Sequence, residues 1–214
     1  FDPPEVLVST VKRYPGWRVG RTDRVLEALV PAILEQKVTG KEAWLGWRTL
    51  VREFGEPAPK VGFGPDRLWV FPSTDVWAQI PSWSWHLAGV DSKRSSAVLR
   101  AVAQASELEA ISGHDHLAAH YRLRAINGIG IWTAAETAQR ALGDSDAVSY
   151  RAYHLAKEVG YLFTGKREGT DEELAQLLLP FAGHRYRIQR FTALSGHQRP
   201  RRGPRMNIAD LRGL

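Results

Sequence analysis

The sequence predicts a nearly all-α fold, and three observations carry that expectation. Apolar residues recur at helical spacing along most of the chain, capping residues and glycines bracket those runs, and alternating β-type patterns are almost absent. Compact helix–turn–helix units with no parallel sheet follow. The first run, Asp23 to Val38, places Val25, Leu26, Leu29, Val30, Ile33 and Leu34 on one face, with Thr22 as its cap. Pro31 lies inside that pattern and predicts a kink or a break there. "KEAWLGWRTLVREFG" reads as a second helix that ends at Gly55. Residues 55–73 are rich in Gly and Pro and predict a long loop, with at most a short strand at "RLWVF". "STDVWAQI" and "SWSWHLAG" predict two short helices, and Asp91 to Ile111 one long helix behind an Asp/Ser cap. Helices are then expected over 115–126, 131–142, 150–162 (capped by Ser149), 171–180 and 184–195. Trp44, Trp47, Trp77, Trp83 and Trp85, of eight tryptophans in all, read as core residues on these segments.

Composition bounds the rest. With 214 residues, 43% hydrophobic and 24% charged, the chain can bury a substantial core, as one domain or as two small lobes. It has no cysteine, which excludes disulfides, thiolate zinc sites and cysteine-held iron–sulfur clusters. No apolar run reaches the length of a membrane span and no secretory signal pattern is present. The chain starts at Phe1 rather than Met, as a fragment, a trimmed form or a processed form would. The net charge is +6, yet His184 to Leu214 alone holds eight Arg against Asp210, so everything before it sums to −1. Such a concentration of guanidinium groups suits phosphate tracking better than a merely solvated tail.

The most informative stretch is "LRAINGIGIWTAAETAQRALGDSDAVSYRAYHL", from Leu123 to Leu155. Gly128 and Gly130 bracket an apolar Ile129 between two helical segments. Two glycines let the backbone turn sharply and approach a partner closely, and helix-start amides beyond them suit a phosphate. A phosphate held that way positions DNA without reading its sequence.

Leu123, Ile126, Gly128-Ile129-Gly130 and Thr133-Ala134 together resemble the helix-hairpin-helix motif of DNA repair glycosylases. "GDSDAVSYRAYHLAKEVGY" resembles the loop and catalytic helix of the same superfamily. "LVPAILEQKVTGKEAWLGWRTLVREFGEP" and "GHRYRIQRFTALSG" resemble core helices of its bacterial 3-methyladenine glycosylase II group. The resemblance covers roughly Val25 to Gly196. It implies a two-lobed helical bundle: an N-terminal extension over 1–22 of the kind a linker from an absent domain would leave, a catalytic domain over 23–198 with its hairpin at 115–142, and a basic tail over 199–214. It also implies a bacterial cytoplasmic, nucleoid-associated monomer that flips and excises alkylated or otherwise damaged bases, of the 3-methyladenine type, from duplex DNA in base excision repair.

Residue by residue, the resemblance implies DNA contacts at Lys37, Gly128, Ile129, Gly130 and Thr133, with Arg199, Arg201, Arg202 and Arg205 added by the basic tail. Lys37 falls where a relative inserts an apolar wedge. A structural Na+ or K+ would sit on the carbonyls of Arg124, Ile126 and Ile129, no catalytic cofactor being required. Trp132 replaces the Schiff-base lysine of bifunctional relatives, so the implied enzyme is monofunctional. Trp132 then lines the base pocket or only packs the lobes; Glu136, one turn on, is a pocket acid or a solvated helix residue; Phe181 is a further candidate wall.

The family's catalytic aspartate aligns with Ala152. Its work, stabilising the positive charge that develops on the deoxyribose and placing the water, needs a carboxylate. Asp144 and Asp146 lie upstream on a loop and would need a different path to reach the sugar; Ser149 is taken as a cap; Tyr153 and His154 carry no negative charge. Glu136 is the remaining internal substitute. An engineered trap and a natural loss fit the residues equally, so the expected form is an inactive or impaired glycosylase. The alternatives are a non-catalytic reader of damaged DNA or DNA structure, and a helical interaction domain in which "NGIG" is merely a turn. His114, His116 and His120 predict solvent-facing imidazoles on a capped helix rather than a metal site.

Overall fold

A computed structural model describes residues 1–60, 68–113, 115–197 and 199–200. Among them are twelve α-helices and one two-stranded ribbon. In chain order these are α1 (Glu5–Arg13), α2 (Val25–Leu34), α3 (Gly40–Phe54), β1 (Glu56–Pro57), β2 (Trp69–Val70), α4 (Thr74–Gln79), α5 (Ser82–Leu87) and α6 (Ser92–Val102). Then follow α7 (Ala105–Ala110), α8 (His116–Ala125), α9 (Ile131–Thr137), α10 (Leu155–Thr164), α11 (Asp171–Leu178) and α12 (Arg185–Leu194). The fold is all-α as expected, and β1 pairs antiparallel with β2, Glu56 opposite Val70. No helix among the described residues is long and apolar enough to cross a membrane.

Two separate apolar cores define two lobes. The larger gathers α2 to α9 around the fully buried Leu29, Ile33, Leu50, Trp77 and Leu123. The smaller is built from Leu7 of α1 with Ala156, Val159, Leu174, Leu178, Ile188 and Phe191 of α10, α11 and α12. Leu7, Val11 and Trp17, in the segment 1–22 expected as an extension, are therefore part of the second lobe. Trp17 packs edge-on to Phe191 at 5.2 Å, and Phe1 stacks on the same ring at 6.3 Å. The chain begins in the small lobe, builds the large one and returns.

Local signals set most boundaries. Thr39 and Glu42 close a capping box on α3, and Asp91 and Asp115 cap α6 and α8. α2 differs: its first amides, Val25 and Leu26, both donate at 2.8 Å to the Glu109 carboxylate of α7, while Thr22 accepts only from Arg24. Pro31 does not break α2, which runs on to Leu34. The long helix expected from Asp91 to Ile111 is interrupted after Val102, where two turn residues separate α6 from α7. The helix expected from Tyr150 starts only at Leu155.

Trp77 and Trp85 are buried as expected, but Trp44 and Trp83 are 57% and 67% exposed. The imidazoles expected to face solvent are also engaged: His116 and His120 reach the buried Asp144 carboxylate at 3.3 and 3.4 Å. No group of three or more metal-ligating side chains occurs among the described residues, and His114 lies outside them.

Candidate nucleic-acid interface and base pocket

The hairpin is formed by α8, a tight turn and α9, which continues as a π-helical segment through Leu142. The two glycines do different work. Gly128 has φ +97°, and a Cβ there would sit 3.0 Å from the Ala97 side chain and 3.2 Å from the Arg100 guanidinium. It is required by conformation and by packing. Gly130 has an ordinary φ of −89°, and a Cβ on it would meet nothing within 4 Å. Its bareness leaves the approach to the start of α9 open. Ile129 is buried and anchors the turn, its N–H donating to the Ile126 carbonyl at 3.0 Å.

Two neighbours brace the turn. Arg100 donates to the Asn127 carbonyl at 2.8 Å, and Gln36 Nε2 donates to the Gly128 carbonyl at 3.0 Å and to Thr133 Oγ1 at 2.9 Å. Thr133, named with the hairpin's DNA contacts, is 2% exposed and its hydroxyl is held inside by Gln36. Gln36 was not foreseen, though it adjoins Lys37 in the loop that links α2 to α3. Lys37 itself is exposed and held at φ +56°, at the tip of that turn.

Glu136 is neither solvated nor free. Its carboxylate accepts from Ser149 Oγ at 2.5 Å and pairs with Arg140 at 2.8 Å, leaving the side chain 13% exposed. Ser149 Oγ accepts from Gln139 at 2.9 Å and from Gln189 at 3.0 Å, so every hydrogen-bonding position on that buried hydroxyl is filled. Ser149 is therefore the centre of a buried network and not a helix cap. Arg140 also lies 3.8 Å from Glu35, whose carboxyl burial holds above the ordinary range, Arg140 opposing and Glu136 adding to the effect.

Glu136, Gln139 and Arg140 form one wall of a cavity of about 210 Å³, with Tyr186, Gln189 and Arg190 of α12 opposite. Gln189 and Arg190 also line a second cavity, of about 350 Å³, beside His154, Leu155 and Glu158. Trp132 is half-buried and lines neither cavity. Phe181 packs edge-on to Phe163 at 6.2 Å in the small lobe, so the structure does not bring it to Glu136. The α12 contribution was not foreseen; the one sequence signal was a Gln three residues after Glu136 in an alanine-rich helix.

Ala152 lies half-buried in the non-helical approach to α10, its N–H donating to the Ser149 carbonyl at 3.2 Å. Both loop aspartates are committed to other partners. Asp146 accepts from the Gly183 and Arg185 backbone at 2.8 and 3.0 Å and forms a two-pronged ion pair with Arg185, capping α12. Asp144 is held by the two histidines and by the Asp146 N–H at 2.8 Å. Tyr153 is 82% exposed and stacks edge-on with His154 at 4.6 Å.

Arg199 is corrected as a tail cation. Its backbone N–H donates to Glu158 at 3.0 Å and its side chain, 13% exposed, folds onto Glu168 at 3.3 Å. Arg201, Arg202 and Arg205 lie outside the described residues.

No family profile matches the chain. Over 169 residues it is 32% identical to a probable bifunctional transcriptional activator/DNA repair enzyme AlkA of Mycobacterium tuberculosis, across 76% of this chain and 31% of that protein. It thus spans about a third of the curated relative. The solved 3-methyladenine DNA glycosylase of Archaeoglobus fulgidus superimposes with a TM-score of 0.75 at 20% identity, over 90% of this chain and 65% of the other. That of Schizosaccharomyces pombe, in complex with abasic DNA, gives 0.70 at 17% identity over 87% of both chains. A DNA-3-methyladenine glycosidase of Bacillus halodurans gives 0.65 at 16% identity, over 90% and 85%.

Proposed function

The chain shares the fold of the helix-hairpin-helix DNA glycosylases and sequence with an AlkA relative, and from these we propose that it is a damaged-DNA-binding glycosylase scaffold whose catalytic position holds Ala152. The observation that carries this reading is the pairing of an intact hairpin with an empty chemical position. Gly128 and its braces set the turn, Gly130 leaves it open, and the segment bearing Ala152 is still anchored against the Glu136–Ser149–Gln189 network.

In the active form of such a scaffold, the base departs with the electrons of the glycosidic bond and water adds to the sugar carbon. A carboxylate beside that carbon would lower the barrier by stabilising the positive charge. At position 152 a methyl group offers no such charge. Asp144, Asp146 and Glu136 are all bound to other partners, so the chain as it stands binds DNA and releases base slowly or not at all. The polar cavity between Glu136 and α12 receives the extruded base. The duplex docks through the hairpin amides. A monovalent cation there would be held by the backbone oxygens of Arg124, Ile126 and Ile129; of these the Ile126 carbonyl accepts one hydrogen bond, from Ile129, and keeps a second lone pair for such a ligand role.

The test compares this chain with Ala152→Asp on duplexes carrying 3-methyladenine, 7-methylguanine, hypoxanthine or uracil, scored as free base released. A rise of two orders of magnitude or more on any of them, as about 3 kcal/mol of electrostatic stabilisation gives, supports the reading and names the base. Fast release by the unaltered chain, or none by either form, refutes it.

A further inference from the structure

We propose that the outer face of α3 is a second contact surface for duplex DNA, continuing the path that begins at the hairpin. This rests on the DNA-binding reading above. Lys41, Trp44, Leu45, Arg48 and Arg52 fall at i, i+3, i+4, i+7 and i+11 of α3, which places them on one face, and all five are exposed. A stripe of that composition is unlike an ordinary solvated helix face. It carries three cations and no acid, because both carboxylates of α3 point elsewhere. Glu42 closes the capping box with Thr39, and Glu53 accepts from Ser84 of α5 at 3.1 Å.

The cations are also uncommitted. Arg21, Arg94, Arg140, Arg185 and Arg199 each pair with a carboxylate. Lys41, Arg48 and Arg52 enter no ion pair among the described residues. The Arg48 guanidinium instead lies 5.0 Å from the centre of the Trp44 ring, and that indole stays 57% exposed. An exposed tryptophan set among free cations suits a partner that offers both negative charge and flat apolar surface, as the phosphates, sugars and bases of DNA do.

Position points to the same partner. The stripe starts one turn after Lys37, at the tip of the loop whose Gln36 is hydrogen-bonded to Gly128 and Thr133 of the hairpin. From there α3 extends for 15 residues, about 22 Å, the length of roughly six base pairs of duplex. DNA docked on the hairpin thus meets Lys37 first and then Lys41, Arg48 and Arg52.

Binding of end-labelled duplexes of about 10 and about 24 base pairs is measured by anisotropy across a salt series. The proteins compared are the unaltered chain, the triple variant Lys41→Gln/Arg48→Gln/Arg52→Gln, Trp44→Leu and Gly130→Val. All the α3 changes are at exposed positions, and circular dichroism checks that folding is kept. For three phosphate contacts the salt slope on the long duplex falls by about 2.7 in the triple variant, so its affinity loss between 50 and 200 mM salt shrinks about 40-fold. The short duplex, filled by the hairpin, shows little change. Trp44→Leu weakens the long duplex several-fold with its slope kept. Equal slopes for the triple variant and the unaltered chain on the long duplex overturn the proposal. So does an equal loss on both lengths, which marks a general charge effect. Loss of self-association in the triple variant with DNA binding intact overturns it as well and makes the face an interface between copies of this chain. The hairpin reading fails separately, if Gly130→Val binds both lengths as the unaltered chain does.

Discussion

Replacing Gly128 by alanine and Gly130 by valine separates what the hairpin needs for folding from what it needs for binding. At Gly128, φ of +97° strains any L side chain, and the added Cβ meets Ala97 at 3.0 Å. The backbone strain costs about 1–2 kcal/mol, and the forced shift against α6 adds about 1–2. Gly128→Ala is therefore expected to lose about 2–4 kcal/mol, read as a lower midpoint in urea unfolding with an unchanged slope. At Gly130 the added side chain enters open space at φ −89°, so Gly130→Val changes stability by no more than about 1 kcal/mol. Its effect falls on binding: the branched side chain stands where a phosphate would approach the α9 amides. Losing a charge-assisted contact of about 1.5–3 kcal/mol weakens binding roughly 10- to 100-fold. Anisotropy with intact and damaged duplexes measures it, and both should weaken alike, because a phosphate contact carries no base information. The reasoning is refuted if Gly130→Val unfolds as readily as Gly128→Ala, or if it loses affinity for damaged DNA alone.

Two further outcomes follow from the caps and ion pairs. Glu109→Gln keeps the shape but removes the charge that holds the Val25 and Leu26 amides. A loss of about 1–2 kcal/mol in urea unfolding is expected, and an unchanged midpoint would show that α2 does not depend on this remote cap. Burial raises the carboxyls of Asp144 and Asp146, but hydrogen bonds outweigh it and both end below the ordinary range. For Asp146 the Arg185 guanidinium dominates; for Asp144 it is His120, the Asp146 N–H and the charge of His116. A carboxylate lowered in the folded state stabilises the fold fully above its unfolded value of about 3.9 and loses that contribution as pH falls through the folded one. Stability should therefore drop below about pH 4, and Asp146→Asn should flatten that drop while lowering the midpoint at neutral pH. The same acid slope in both proteins would remove Asp146 from the account.

The sequence by itself determined what depends on near neighbours. The caps at Asp91 and Asp115 and the terminating Gly55 act over a few residues, so the starts of α6 and α8 and the end of α3 were legible in the sequence. The hairpin was legible for the same reason, since the turn is local, and so was the absence of a carboxylate at position 152. Tertiary structure decided what depends on partners far along the chain. Ser149, which has the right character for a cap, is drawn instead into a network with Glu136, Gln139 and Gln189. With Arg151 at φ +67° and its N–H donating to Asp171, α10 cannot start until Leu155. Glu109 caps a helix 84 residues away, α1 joins a lobe built from the far end of the chain, and Gln36 reaches the hairpin from 92 residues upstream. Periodicity shows that Trp44 is on an amphipathic helix, but only the packing of α3 against its neighbours fixes which side of that helix is covered. A side chain's character is local, whereas its partner is chosen by which surfaces the two cores bring together.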